Sequence, residues 1–127
     1  MSYKKGQTVK IAVSAEGPDL QAQVDPRFGR AAYILLIDLD TGEVEHLSNA
    51  PNLQAAQGAG VQTAALVARH RPAAVLTGNC GPKAFQILEA AGIKVIVGVK
   101  GSVREALAAY QAGKYQPSRG PNVPGHW

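Results

Sequence analysis

The connections between apolar runs change character midway along this chain, and that change restricts the fold more than any other feature. Thr8 to Ser14 alternates Val9, Ile11 and Val13 with Lys10 and Ala12, the period of a strand. Tyr33 to Leu39 is an apolar run suited to a central strand, and Asp40-Thr41-Gly42 after it reads as a tight hairpin. Glu43 to Ser48 returns as a more polar strand, fit for a sheet edge. Beyond the connection Asn49 to Gln57 the apolar period lengthens to that of helices. Gly58 to His70 is predicted helical, with Val61, Ala64, Ala65 and Ala68 on its buried face and Pro72 as its stop. Ala73 to Thr77 is a short strand and Gly78 to Gly81 a turn. Pro82 suits the first position of a helix that buries Ala84, Ile87, Leu88 and Ala91 and ends at Gly92. Lys94 to Val99 is a last strand. Ser102-Val103-Arg104-Glu105 is a capping-box pattern, opening a helix that buries Val103, Ala106, Leu107 and Tyr110 and stops at Gly113.

The order β-β-β-α-β-α-β-α fixes much of the topology. Three strands joined without helices form an antiparallel meander. Two more, each reached through a helix, lie parallel to the first. A sheet order of 3-2-1-4-5, with strand 2 antiparallel to the rest, as in ribonuclease-H-like three-layer α/β/α folds, satisfies both rules. The chain direction reverses between strands 1 and 4, and ligands of open α/β sheets bind beyond the carboxyl ends of strands at such a switch point. Two segments leave the sheet there: Ala15 to Arg30, long and rich in Gly, Pro and Asp, and Thr77 to Lys83. Residues 1–115 are expected to form one domain, followed by a Pro- and Gly-rich tail, 116–127, outside its core.

Composition narrows the function. A chain of 127 residues with 46% hydrophobic and 17% charged residues can bury a core and is not disordered in bulk. No stretch is apolar for long enough to cross a membrane, and Met1 to Lys10 lacks the apolar core of a signal peptide. The single cysteine, Cys80, permits no internal disulfide and implies a reducing, cytoplasmic setting. The net charge of +4 favours anionic partners. It does not single out nucleic acid, because the basic residues are scattered and aromatics are few.

Two clusters carry candidate chemistry. Gly78-Asn79-Cys80-Gly81-Pro82-Lys83 joins a strand to a helix start, where free N–H groups and the helix dipole favour an anion or a thiolate. Cys80 there is expected either to have a lowered pKa and serve as metal ligand or nucleophile, or to be a small buried thiol in a tight turn. Asp25-Pro26-Arg27-Phe28-Gly29-Arg30 offers two arginines able to fork onto an oxyanion or the sulfides of a negative cluster. Its structural alternative is an Asp–Arg pair bracing the loop, with Phe28 plugging the core. His46, His70 and His126 have no ligand spacing. A carboxylate cluster for a metal-dependent nuclease, a Walker lysine motif, a dinucleotide fingerprint and a spaced Ser–His–Asp set are all missing.

The strand Lys10 to Val13, the loop Val24 to Ala31, the run Thr77 to Phe85 and Ala91 to Val95 together resemble the dinitrogenase iron–molybdenum cofactor biosynthesis family, over about residues 8–115. That family includes nitrogenase accessory proteins carrying cofactor precursors, the C-terminal domain of a cofactor-assembly enzyme, and stand-alone members; related small proteins bind mixed molybdenum–copper sulfide clusters. The resemblance implies binding or carriage of a metal–sulfur cluster of iron, molybdenum or copper rather than catalysis, with cofactor-assembly or acceptor proteins as partners. Carried over residue by residue, the site is Arg27, Phe28, Gly29 and Arg30 with Gly78, Asn79, Cys80, Gly81 and Pro82, and Cys80 is the metal ligand. A histidine ligand proposed for some carriers has no clear counterpart. The alternatives are a thiol-dependent enzyme or redox sensor using Cys80, and a regulatory module for an ordinary oxyanion or metabolite.

Overall fold

The structure is a computed structural model and describes residues 9–49 and 58–124. The expected strand start at Thr8, most of the connection 49–57, and the terminal His126 and Trp127 lie outside the described residues. Five strands, β1 (Lys10–Ala15), β2 (Tyr33–Asp38), β3 (Val44–Ser48), β4 (Ala74–Leu76) and β5 (Lys94–Ile96), form one open mixed sheet in the order β3-β2-β1-β4-β5. β2 runs antiparallel to β1 and β3, whereas β1, β4 and β5 are mutually parallel. Three helices, α1 (Ala59–Arg69), α2 (Pro82–Ala90) and α3 (Val103–Gln111), complete the expected order.

The sheet is covered on both faces, which is why its middle strands read as apolar runs. Ala12, Leu36, Val75 and Val95 pack on one face against Ala64 and Val67 of α1 and Phe85 and Leu88 of α2. Ile11, Val13, Leu35 and Leu76 pack on the other against Val103, Ala106 and Leu107 of α3. Ala12, placed by alternation among the outward residues of β1, is fully buried because a strand in this position has no solvent face. At the hairpin, Asp38 uses its carboxylate to accept the N–H groups of Asp40 and Thr41, and Gly42 takes the positive φ (80°) the turn requires.

Helix faces were legible to within a position or two. In α1 the buried residues are Ala59, Thr63, Ala64 and Val67, and Ala65 is exposed. The face is rotated because Thr63, polar by composition, points inward to a hydrogen-bonded partner. In α2, Phe85 joins Ala84 and Leu88 in the core, while Ala91 is the exposed C-cap. β5 is shorter than Lys94 to Val99: the chain turns at Gly98 (φ 77°) and spends its next two amides on the β4–α2 turn, Gly98 N–H on the Gly78 carbonyl (2.8 Å) and Val99 N–H on Thr77 (3.1 Å).

Candidate functional site

The loop after β1 and the turn after β4 meet at the carboxyl ends of those parallel strands. Ser14, at the end of β1, starts the junction. Its hydroxyl lies 2.8 Å from the Asp25 carbonyl and 2.7 Å from Thr77 Oγ1, all in the buried interior. With one proton to give, Ser14 donates to the carbonyl and accepts from Thr77. Asp25 N–H returns to the Ser14 carbonyl (2.8 Å), so the loop leaves β1 and is pinned back to it eleven residues later.

From there the loop docks on the turn. The Asp25 carboxylate accepts Arg27 N–H (3.0 Å), a local Asx turn that braces the loop through the arginine's main chain. Arg27 and Asn79 form a parallel β-bridge, Phe28 N–H donates to the Asn79 carbonyl (3.1 Å), and Asn79 Nδ2 donates to the Pro26 carbonyl (2.7 Å). Gly78 is required by this approach: a Cβ there would lie 2.7 Å from Pro26 Cα and 2.8 Å from its carbonyl oxygen. Phe28 is buried in the core, as expected of a plug. The Gly29 carbonyl accepts from Thr63 Oγ1 (3.2 Å) and Asn49 Nδ2 (3.3 Å), and Asn49 Nδ2 also reaches the Ala31 carbonyl (2.9 Å). The arginine loop is thus held from behind by buried polar side chains, leaving Arg27 exposed and Arg30 half-buried.

α2 opens at Gly81, whose missing side chain provides no cap, followed by Pro82. Cys80 departs from one expectation. It is fully buried in the cluster containing Phe28, Ala31, Ala84 and Phe85, with Sγ 3.7 Å from the Gly81 carbonyl. Burial pushes its thiol up to about 12 rather than lowering it. The side chain points into hydrocarbon, so desolvation outweighs the positive end of the helix.

Sequence reasoning missed three contributors. Thr63 was detectable, since Ala59, Thr63 and Val67 share a helical face at i+4 spacing. Asn49 follows an edge strand, and nothing in its neighbours marks it as buried. Asn122 comes from the tail: its Oδ1 accepts Cys80 N–H (2.8 Å), its Nδ2 reaches Asn79 Oδ1 (3.0 Å) and the Gly78 carbonyl (3.3 Å), and its own N–H donates to the Cys80 carbonyl (3.1 Å). Among the described residues no three His, Cys, Asp or Glu side chains gather as they would to cage a metal ion.

A mixed open sheet of order β3-β2-β1-β4-β5, with two loops locked together at its switch point, defines a small α/β protein. Residues 9–113 match the profile of the family described as dinitrogenase iron–molybdenum cofactor. The chain belongs to that family, whose role lies in the biosynthesis of the iron–molybdenum cofactor. It is similar to the orange protein of Desulfovibrio gigas, solved in its apo form, with 42% identity, TM-score 0.88, and coverage of 92% of this chain and 98% of that one. A Thermotoga protein described as a NifB candidate is 31% identical with TM-score 0.74, over 86% of this chain and 92% of that chain. An uncharacterized protein of Methanocaldococcus jannaschii is 26% identical over 114 residues, 88% of this chain and 93% of its own length.

Proposed function

We propose that this protein binds and carries a preassembled, anionic metal–sulfur cluster or its precursor, of iron, molybdenum or copper, at the mouth between β1 and β4. The observation that carries the reading is the junction itself. The Arg27–Asn79 bridge and the close approach of Gly78 to Pro26 fix a loop bearing two arginines against the uncapped start of α2. Guanidinium forks and helix-start amides are donors for sulfide and oxygen acceptors on a negative body. Arg27 and Arg30 supply charge, Phe28 and Gly29 fix the loop, and the turn Gly78 to Gly81 carries backbone N–H groups ahead of Pro82, which has none and sets the helix start. A bare metal ion would need several ligating side chains, which do not gather among the described residues, whereas a cluster that brings its own sulfides needs donors. The orange protein, solved in an apo form and 42% identical, supports a ligand-carrying role.

Cys80 enters as a metal ligand only by leaving the core and ionising. The same two facts weigh against a thiol enzyme or redox sensor, either of which needs an accessible thiolate. The family supports a carrier in the reducing cytoplasm, exchanging its cargo with cofactor-assembly or acceptor proteins, on a scaffold of ribonuclease-H-like kind. An oxyanion module would use the same donors, and the cargo separates the two.

The test is metal and sulfide analysis of protein purified without oxygen, with a double variant beside it. Bound molybdenum, iron or copper with acid-labile sulfide is the expected result. Arg27→Ala with Arg30→Ala should weaken binding at least about tenfold, since a charge-assisted hydrogen bond contributes roughly 1.5–3 kcal/mol. Parent protein that neither holds nor takes up a metal sulfide, or a folded double variant that binds as tightly as the parent, overturns the reading.

A further inference from the structure

The tail does not simply trail off after α3. Ser118 N–H donates to the Val95 carbonyl at 2.7 Å, so the chain crosses the free edge of β5. Four residues later Asn122 reaches the turn between β4 and α2 and engages Gly78, Asn79 and Cys80 together. The main-chain N–H of Asn122 adds a bond to the Cys80 carbonyl. This attachment has no deep apolar anchor: Pro121, Asn122 and Pro124 are exposed and Val123 is half-buried. A segment held by exposed and part-buried polar contacts, with no side chain sunk into the core, can leave without opening that core.

What Asn122 does at the turn is specific. Its carboxamide oxygen takes the Cys80 N–H, the amide immediately before the Gly81-Pro82 helix start, and α2 receives no cap from its own N-cap residue. An acceptor atom supplied by the tail therefore stands where the acceptor atom of an anionic ligand would stand. We propose that residues 117–122 form a releasable strap, with Asn122 as an internal ligand that an incoming anion must displace from the Cys80 amide. This rests on the anion-carrying reading above and adds a regulation to the same mouth. Strap-on protein has a satisfied, closed turn. Strap-off protein presents the Cys80 amide beside Arg27. A partner that captured the tail would shift the equilibrium toward loading, and ligand binding would set the tail free to be captured, because the coupling is reciprocal.

The probe is tetrathiomolybdate, a compact sulfide anion, titrated without oxygen into the full chain and into Asn122→Ala. The substitution is at an exposed residue, and matching far-ultraviolet circular dichroism confirms that the fold is kept. Asn122→Ala should bind about three- to tenfold more tightly, because the fraction of molecules with the strap closed no longer subtracts from the apparent affinity. In the parent, nuclear magnetic resonance should show the Asn122 side-chain amide and the Cys80 backbone amide shifting in one titration. Equal or weaker binding by the variant, or an Asn122 side-chain signal unchanged in ligand-saturated parent, overturns the strap while leaving the carrier intact. Failure of both proteins to bind tetrathiomolybdate overturns the carrier reading for such anions, and the displacement with it.

Discussion

Two helices begin at the same end of the sheet, each after a parallel strand, and they are finished in opposite ways. α3 is sealed by its own sequence and by a neighbouring loop. The Ser102 hydroxyl accepts Glu105 N–H, and the Glu105 carboxylate accepts Ser102 N–H (2.9 Å). The carbonyls of Ala22 and Leu20 take the N–H groups of Val103 and Arg104, both at 2.9 Å. α2 starts at a glycine with no side-chain cap, and the turn before it is met by one residue from the chain terminus. The dipole is the same at both starts, so a helix start by itself says little about function. What differs is whether the protein has already committed its acceptors there. The loop Ala15 to Arg30 accounts for both outcomes, since its first half closes α3 and its second half presents arginines beside α2.

The contrast can be broken most severely at Gly78. Gly78→Ala drives a Cβ into the Pro26 backbone, which cannot yield as a flexible side chain would. The two loops must part, at a cost of about 3 kcal/mol in urea unfolding. Gly120→Ala, which meets nothing within 4 Å, should be nearly neutral in the same assay.

A smaller effect is expected beneath the turn. Cys80→Ala removes a buried sulfur and should cost about 1.5 kcal/mol at pH 7. Because the folded thiol is raised from about 9 to about 12, its contribution is fully present below pH 9 and is lost as pH rises toward the folded value. Unfolding measured at pH 7 and pH 10 should therefore show the parent losing its advantage over the variant at the higher pH. A constant gap would mean that the thiol ionises normally in the folded state.

The smallest effect belongs to α3. Ser102→Ala removes the cap and should cost about 1 kcal/mol without changing tetrathiomolybdate affinity. The backbone N–H of Ser102, and then its side chain, hold the Glu105 carboxyl below its usual range. That support is present above the unfolded value near 4.5 and is lost as pH falls through the folded one; the variant keeps the larger, backbone part, so its difference from the parent should narrow only slightly on acidification. A change in anion affinity in this variant would show that the two helix starts are not independent.

Strand order, strand direction and the meeting of the two loops were legible because hydrophobic period and connection length carry them. The arginine loop and the Gly78–Pro82 turn could be placed at one mouth from topology alone. The state of Cys80 could not be read, because a thiol beside a helix start faces either amides or hydrocarbon, and only the side-chain direction decides. Asn122 was hidden for a related reason: in a Pro- and Gly-rich tail no periodicity shows which residue returns to the domain. Thr63 lay between these cases, masked by its polarity although its spacing was that of a core position.

The position of β1 has a consequence for the history of each molecule. On one side β1 pairs with β2, close in the chain; on the other it pairs with β4, so that Ile11 finds Ala74 across roughly sixty intervening residues. The meander can form from local contacts, but closing the longer loop is entropically slower. The junction of the two loops straddles that later seam, with Arg27 and Arg30 on the early half and the turn Gly78 to Gly81 on the late half. A nascent chain on the ribosome therefore does not bring the two loops together until α2 has emerged and β4 has docked. A ligand bound across this junction, as proposed above, would add its free energy by mass action to the most distant pairing in the sheet, and the seam would open least often in the bound form.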